Sequence, residues 1–147
     1  PTAQPGEIGV ELLSKAKGNM YTVKWSPQAS PATLSEEPTS DLNDYREMVV
    51  IKNDQILNAW LHSADGSDGP TSKVAFHFNK ATAQKITLSE PPNERYAEGG
   101  AFTLVDGIIA GEKRVSTEWL GWRGSVTITV DLGSEQDVRT VGIGALN

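Results

Sequence analysis

Residues 99–133, GGAFTLVDGIIAGEKRVSTEWLGWRGSVTITVDLG, contain the patterns on which the predicted fold depends. Two turn signals lie in this stretch, Val-Asp-Gly at residues 105–107 and Asp-Leu-Gly at residues 131–133. Between them, residues 125–131 alternate polar and apolar side chains with the two-residue period of a strand that has one buried face. Aspartate and glycine beside such a run are typical of tight turns. The stretch therefore predicts β-structure rather than helix.

Similar alternation predicts strands along most of the remaining chain. The sequence holds 14 glycines and 8 prolines, which favour turns and short strands over long helices. The Lys-Asn-Asp turn at residues 52–54 predicts a hairpin between the strands on either side of it. Residues 26–44 contain three prolines and almost no periodicity, which predicts a long loop. The predicted strands span residues 10–13, 20–25, 47–51, 55–62, 72–78, 85–88, 102–105, 125–131 and 138–146.

The segment around Pro91 and Pro92 is the predicted boundary between two domains. Each proline lacks a backbone N–H group, so neither can lie in a central strand. Residues 1–88 hold six or seven predicted strands, enough for a small immunoglobulin-like β-sandwich. Residues 89–95 are predicted to be a linker, and residues 96–147 to belong to a second domain. The predicted fold class is therefore all-β, in two domains.

The charge and composition of the chain disfavour several classes of partner. The formal net charge is -6, whereas a nucleic acid or an anionic membrane surface requires clustered Lys and Arg. No cysteine is present, so the sequence can form neither a disulfide nor a thiolate metal site. No apolar run approaches the roughly 18–20 residues of a membrane-spanning helix. The chain begins at Pro1 and ends just after a strand-like run, so we expect it to be an excerpt of a longer protein.

Three motifs in residues 99–133 together resemble a known family. They are Gly-Gly-x-Phe-Thr-Leu-Val-Asp-Gly-Ile, Trp-x-Gly-Trp-x-Gly and Val-Asp-Leu-Gly, in that order. Their order and spacing resemble the opening of a discoidin-like domain (coagulation factor 5/8 type C, galactose-binding-like). The version they most resemble lies behind the catalytic barrel of bacterial family 20 β-N-acetylhexosaminidases. The resemblance implies that residues 96–147 are the first part of a truncated galactose-binding-like (discoidin) jelly roll.

The first domain carries part of the same resemblance. Residues 37–40 (Glu-Pro-Thr-Ser), Tyr45 and residues 56–61 are similar to the small β domain that follows that barrel. One departure is that the family usually has a Tyr-Thr-x-Asp-Gly turn, whereas Tyr21-Thr22 here continues into Val-Lys-Trp. The resemblance implies an accessory region of an enzyme that a bacterium exports to the periplasm, the cell surface or the medium. It also implies the enzyme's catalytic barrel as a partner.

Trp119, Trp122 and Arg123 are the candidate carbohydrate-binding residues. An aromatic face can stack on the C–H face of a pyranose while the Arg123 guanidinium donates hydrogen bonds to the sugar hydroxyls. The alternative is that one or both tryptophans lie in the core, because a Trp side chain offers one of the largest apolar surfaces that a domain can bury. In sugar-binding discoidin-like modules the ligand usually lies on loops at one end of the sandwich.

Asp106 is the candidate metal ligand, and calcium is the metal that the resemblance implies. Discoidin-like sugar-binding modules often hold a structural calcium ion near this Asp-Gly turn. Calcium takes about 6–8 oxygen ligands, and the loop over residues 106–117 offers Asp106, Ser116, Thr117 and several backbone carbonyls. The alternative is that the Asp106 carboxylate accepts a hydrogen bond within its own turn.

The sequence offers little support for catalysis by this chain. Most glycoside hydrolases place two carboxylates on either side of the scissile bond; family 20 enzymes resemble a substrate-assisted variant that uses an adjacent Asp-Glu pair on the barrel. The chain contains no such dipeptide. His62 and His77 are predicted to be half-exposed strand residues, without a metal-ligand companion at a recognisable spacing. We therefore predict that this chain is not an enzyme, while the resemblance implies a glycoside hydrolase as its full-length parent.

Two functions from different classes remain open. The first is a non-catalytic accessory region that helps to position the enzyme or its glycan substrate, with carbohydrate as a partner. The second is a structural or protein-interaction β module without carbohydrate affinity. A truncated second domain would expose strand edges. We therefore expect residues 96–147 to pack on the first domain or to self-associate with a second copy of the chain.

Overall fold

The computed structural model describes residues 4–14, 21–29, 43–111 and 115–145. Short antiparallel strands dominate these residues, and the one α-helix among them has four residues. The predicted all-β class is therefore confirmed. None of the helices in the described ranges has the length and hydropathy to cross a bilayer. The chain divides into two compact units, Pro1–His77 and Phe78–Asn147.

The first unit is built from six strands within the described residues. They are β1 (Ile8–Val10), β2 (Tyr21–Ala29), β3 (Asn43–Asp44), β4 (Val49–Ile51), β5 (Gln55–Ser63) and β6 (Ser72–Phe76). β1 and β4 form an antiparallel pair, and the other four form an antiparallel sheet in the order β3-β2-β5-β6. The first unit is therefore a two-sheet antiparallel structure.

Strand β5 lies inside the four-stranded sheet and pairs along both of its edges. Its nine residues face the nine residues of β2, in a register that places Trp60 opposite Lys24. Its other edge pairs with β6. The predicted hairpin between residues 47–51 and 55–62 is therefore wrong: both edges of β5 are occupied, and β4 pairs with β1 instead.

Strand β5 carries more buried side chains than any other strand of the first unit's described residues. Ile56, Leu57 and Asn58 are consecutive and all buried, so both faces of this strand are covered. Trp60 on the same strand is only 7% exposed. The other buried apolar side chains of this unit's described residues are Ile8, Val49, Ile51 and Phe76.

The predicted loop over residues 26–44 is shorter than expected at both ends. β2 continues as far as Ala29, and β3 occupies the last two residues of the predicted loop. Within β2, Pro27 lies opposite Leu57 of β5, while β3 pairs with Lys24 and Trp25. Residues 30–42 lie outside the described residues.

Two side-chain pairs lie at the surface of this sheet, one between neighbouring strands and one across a turn. Lys24 on β2 forms an ion pair with Asp44 on β3, and the hydrogen bond from Lys24 holds the pKa of the Asp44 carboxyl below its usual range. His62 Nδ1 lies 2.6 Å from Asp68 Oδ1, across the turn that follows β5. His62 is half-exposed on its strand, as predicted, and His77 is half-exposed just beyond the end of β6.

The second unit has one antiparallel pair among its described residues, together with short helical turns. Its elements are β7 (Lys85–Leu88), the 3-10 helices Glu94–Tyr96 and Ala101–Leu104, α1 (Val115–Glu118) and β8 (Ile128–Asp131). β7 pairs with β8. Thr82 and Val105 are buried, and the Ala83 N–H donates to the Val105 carbonyl over 2.7 Å. This bond ties the segment before β7 to the second 3-10 helix.

Two strands predicted for the second unit are wrong. Most of residues 102–105 lie in a 3-10 helix, which the chain enters through Gly100 at φ 64, a conformation that glycine adopts at little cost. Residues 138–145 pair with no other strand in the described residues, and the side chains of Val138, Val141 and Ile143 are exposed. Alternation in the sequence is local, whereas a strand also requires a hydrogen-bonded neighbour.

The division between the units differs from the predicted domain boundary. The sequence placed the boundary in residues 89–95, whereas the compact units divide between His77 and Phe78. The pairing of β7 with β8 explains the difference, because it ties residues 85–88 to the second unit.

Candidate functional site

The ladder between β7 and β8 opens just beyond its last pair. Ser89 adds one further step: its N–H donates to the Thr127 carbonyl over 3.0 Å, and its Oγ accepts the Thr127 N–H over 2.9 Å. Pro91 and Pro92 follow at once and have no N–H group with which to continue the ladder. The two chain segments therefore separate at this point.

The same segments meet again at Asn93, whose N–H donates to the Gly121 carbonyl over 2.8 Å. Tyr96 packs closely against Gly121, since a Cβ atom added there would lie 2.9 Å from the ring atom Cδ2. The opening is thus closed by hydrogen bonds at both ends. Its two walls are residues 90–92 and residues 122–126.

A shallow groove of about 350 Å³ lies in this opening, and we call it the Trp122 groove. Its volume is at the lower end of the roughly 300–1,000 Å³ of small-molecule sites. The groove combines an aromatic ring, an acid, a base, an amide and a hydroxyl. Its lining residues are Glu90, Pro91, Asn93, Trp122, Arg123, Gly124 and Ser125.

The indole of Trp122 is held in place by the opposite wall of the groove. Its Nε1–H donates to the backbone carbonyl of Glu90 over 3.0 Å. The side chain is half-buried, so part of its surface remains accessible. A half-exposed ring that is fixed by a backbone acceptor can stack on a ligand without first losing rotamer freedom.

The Trp122 groove carries one side chain of each charge. Arg123 is exposed, and its guanidinium makes neither an ion pair nor a hydrogen bond with any residue that the structure describes. The Glu90 carboxylate lines the same groove and likewise forms no ion pair there. Five N–H donors of a guanidinium and two acceptor oxygens of a carboxylate are therefore available to a ligand.

Trp119 does not line the Trp122 groove. Its Nε1–H donates to the Gly111 carbonyl over 3.0 Å, and a Cβ atom at Gly144 would lie 3.9 Å from its ring atom Cη2. The half-buried indole is thus held between two loops of the second unit. Of the three predicted platform residues, the structure brings Trp122 and Arg123 together at one groove and places Trp119 elsewhere.

The Asp106 carboxylate closes its own turn. Its Oδ1 accepts the Ile108 N–H over 2.8 Å, and Gly107 between them has φ 74. This is the Asx hydrogen bond that the sequence offered as the alternative to a metal site. Burial raises the pKa of the Asp106 carboxyl above its usual range; the bond from Ile108 opposes this effect, and the nearby Glu118 carboxylate adds to it.

The described residues contain no group of three or more His, Cys, Asp or Glu side chains that could hold a metal ion. Ser116 is exposed, and Glu118 uses Oε2 to accept the Gly111 N–H over 2.9 Å. A calcium ion requires about 6–8 oxygen ligands, and Asp106 supplies only one carboxylate toward that number. The calcium site at Asp106 stays a prediction.

Replacing Asp106 with asparagine is expected to stabilise the chain at neutral pH, since an amide oxygen can still accept the Ile108 N–H without the cost of a half-buried charge. An acid whose folded pKa is raised destabilises the fold above that pKa and does so progressively less as the pH falls through it. The advantage of Asp106→Asn in urea unfolding should therefore shrink from about pH 7 to about pH 3. A difference that is constant or grows toward acid would contradict this account of the turn.

A second groove, of about 910 Å³, lies elsewhere in the second unit. Its lining is largely aliphatic, with Val130, Leu132, Val138 and Val141 among its residues. Lys80 Nζ donates to the Asp137 carbonyl over 2.5 Å at its edge. This groove has no aromatic side chain in its lining, so it offers no platform for a sugar ring.

Sequence reasoning did not identify Glu90, Asn93 or Ser125 as part of a site. Residues 89–95 were interpreted as a linker because of their two prolines. The same prolines are the signal that could have revealed the groove, because a pair of residues without N–H groups next to a predicted strand must interrupt its pairing.

No protein-family model matches the chain, and the comparison with curated proteins gives no match either. The function must therefore be inferred from the residues and geometry of the chain itself.

Proposed function

We propose that this chain is a non-catalytic accessory region that binds carbohydrate in the Trp122 groove, as part of an exported bacterial glycoside hydrolase of the β-N-acetylhexosaminidase type. The observation that carries the proposal is the joint position of Trp122 and Arg123 on one open groove with Glu90 opposite. An aromatic ring with donors and acceptors around it suits a pyranose, which has an apolar C–H face and a polar rim. The identity of the parent enzyme is inferred from the sequence resemblance.

The proposed fold follows the same resemblance. The first unit is an immunoglobulin-like sandwich, a proposal supported by its two antiparallel sheets and by the coverage of both faces of β5. The second unit is the first part of a discoidin-like jelly roll. Its single strand pair among the described residues and the exposed side chains of Val138, Val141 and Ile143 are what a partial jelly roll would show.

Binding rather than hydrolysis is the activity that the Trp122 groove supports. Glycoside hydrolysis commonly uses two carboxylates about 5–10 Å apart. The groove lining consists entirely of described residues, and Glu90 is the only acidic residue among them. A sugar held there has an acceptor and a donor beside it but no second carboxylate.

Filling the groove is the test that disturbs the fold least. A Cβ atom at Gly124 meets nothing within 4 Å, so Gly124→Val should fold normally and occupy part of the groove. We expect it to weaken the binding of N-acetylglucosamine, galactose or a short chitin fragment by about tenfold, the equivalent of roughly 1.4 kcal/mol. Tryptophan fluorescence titrated with each sugar measures the affinity.

Gly142→Val is the matched control for this test. A Cβ atom at Gly142 also meets nothing within 4 Å, and this residue lines the other groove of the second unit. The control should bind the sugar as the unmodified chain does. An equal loss in both variants, or no loss in Gly124→Val, would contradict binding in the Trp122 groove.

The alternative function is a structural or protein-interaction β module without carbohydrate affinity. The exposure of Val138, Val141 and Ile143 along one segment favours it, because exposed apolar clusters often mark interaction surfaces. A flat sugar titration of the unmodified chain, combined with concentration-dependent self-association in size-exclusion chromatography, would favour this alternative over carbohydrate binding.

A further inference from the structure

We infer that Ser89 is a positioning residue of the Trp122 groove: its hydroxyl takes over a ladder bond from the backbone and so allows the Glu90 carbonyl to hold the Trp122 indole. The inference rests on the carbohydrate-binding function proposed above, because it concerns the same groove. It adds a residue that lies outside the groove lining and acts through the aromatic ring.

Ser89 occupies the first position at which the ladder between β7 and β8 departs from regular pairing. In an antiparallel ladder, hydrogen-bonded pairs exchange two N–H···O bonds and alternate with pairs that exchange none. Ser89 and Thr127 form a pair of the first kind, since the Ser89 N–H donates to the Thr127 carbonyl over 3.0 Å. The return bond uses the side chain: the Thr127 N–H donates to Ser89 Oγ over 2.9 Å, where a regular pair would use the Ser89 carbonyl.

The Glu90 carbonyl bonds across the groove, where a regular strand would not direct it. The residue next to a hydrogen-bonded one belongs to a non-hydrogen-bonded pair, so its N–H and C=O groups face away from that partner strand. The Glu90 carbonyl instead accepts the Trp122 indole N–H from the opposite wall over 3.0 Å. The backbone therefore turns between Ser89 and Glu90, and the Ser89 hydroxyl keeps the Thr127 N–H bonded through that turn.

The two walls of the groove differ in length between the bonds that close it at either end. Residues 90–92 form the shorter wall and residues 122–126 the longer one, three residues against five. The longer wall must therefore bow outward between the closing bonds. Trp122 lies on this longer wall, and its indole is tied back to the shorter one by the bond to the Glu90 carbonyl. The position of the ring thus depends on the direction of that carbonyl.

Without the Ser89 hydroxyl, the ladder has a competing arrangement. The Thr127 N–H can then donate to the Ser89 carbonyl, as in a regular hydrogen-bonded pair. Such a pair continues the strand through Glu90 and turns its carbonyl away from Trp122. An indole that has exchanged a fixed acceptor for solvent must be ordered when a sugar binds, which lowers the affinity. Both Ser89 and Thr127 are exposed, so no core packing opposes this change.

The test replaces Ser89 with alanine in the whole chain and measures two quantities. The first is hydrogen exchange of the Trp122 Nε1–H signal by NMR without sugar, which should become about 3- to 10-fold faster. The second is the affinity for N-acetylglucosamine or galactose by titration calorimetry. This affinity should fall by about 3- to 10-fold, the equivalent of one net hydrogen bond. Ser89→Thr keeps a hydroxyl and should restore both values.

Trp119 and Ser134 supply the controls. The Trp119 Nε1–H donates to the Gly111 carbonyl over 3.0 Å outside the groove, so its exchange in the same spectra should not change. Ser134→Ala removes another exposed hydroxyl of the second unit, which accepts a hydrogen bond from Gln136. This variant should leave both the Trp122 exchange rate and the sugar affinity unchanged.

The two readouts separate the role of Ser89 from the proposed function. Unchanged Trp122 exchange in Ser89→Ala, or a change that Ser89→Thr does not restore, would overturn the role of Ser89. An affinity loss without faster exchange, or faster exchange without an affinity loss in a chain that binds sugar, would overturn it as well. If the unmodified chain binds neither sugar, the proposed function fails, while the exchange rates still decide whether Ser89 positions Trp122.

Discussion

Replacing Trp122 with alanine is expected to lower the affinity for N-acetylglucosamine or galactose by about 30-fold or more, because truncating a central aromatic contact commonly costs about 2 kcal/mol or more. Trp122 is the one aromatic side chain in the groove lining. Its indole is fixed by the Glu90 carbonyl, so the ring is already in place before a sugar arrives. Titration calorimetry of both proteins measures the loss.

Two further variants separate the stacking surface from the hydrogen bond. Trp122→Phe keeps an aromatic face but cannot donate to the Glu90 carbonyl, so its affinity should lie between those of the unmodified chain and Trp122→Ala. Trp119→Phe removes an equivalent indole N–H bond, to the Gly111 carbonyl, outside the groove. This second variant should bind sugar normally; if it loses affinity as Trp122→Ala does, the groove is not the binding site.

Replacing Trp60 with alanine is expected to lower the free energy of unfolding by about 3–5 kcal/mol, the usual cost of removing a large aromatic side chain from a core. Trp60 is 7% exposed on the inner strand of the four-stranded sheet. It lies two residues beyond the buried run over residues 56–58, which covers both faces of β5. Urea unfolding followed by far-UV circular dichroism would report the loss.

The matched variant for this prediction is Trp60→Phe. Phenylalanine fills much of the same volume, so it should cost less than half of the alanine effect. A change below about 1 kcal/mol in Trp60→Ala is typical of surface sites, and it would mean that the strand is not packed as described.

Local patterns in the sequence predicted some strands of the first unit well and others poorly. The strand predicted over residues 10–13 shares only Val10 with β1, and β3 lies in the predicted loop. Residues 72–78 were predicted as a strand and Ser72–Phe76 is one; residues 55–62 were predicted and Gln55–Ser63 is one. Strand pairing was not predictable in the same way. The turn at residues 52–54 suggested a hairpin, but β4 and β5 belong to different sheets, and alternation within a strand says nothing about which neighbour it takes.

The second unit shows the limits of alternation more clearly. Residues 125–131 were predicted as a strand, and its second half, Ile128–Asp131, pairs with β7. Residues 102–105 (Phe-Thr-Leu-Val) were also predicted as a strand, yet most of them form a 3-10 helix that follows Gly100 at φ 64. The hydrophobic pattern contains no information on the backbone conformation of Gly100, so it could not reveal this helix.

The candidate site could be predicted only in part. Trp122 and Arg123 were identified from residue type alone, because an aromatic ring beside a guanidinium suits a sugar. Glu90, on the opposite wall of the groove, could not be identified in this way. Glu90 meets those residues only because the ladder opens at the prolines and closes again at Asn93, which is a consequence of tertiary pairing.

The measurement that tests sugar binding in the Trp122 groove most directly is an NMR titration of the four tryptophan indole N–H signals with N-acetylglucosamine and galactose. We expect a saturable shift of the Trp122 Nε1–H signal, with the buried Trp60 signal unchanged. Signals that all remain in place at saturating sugar, or a shift confined to Trp119, would contradict it.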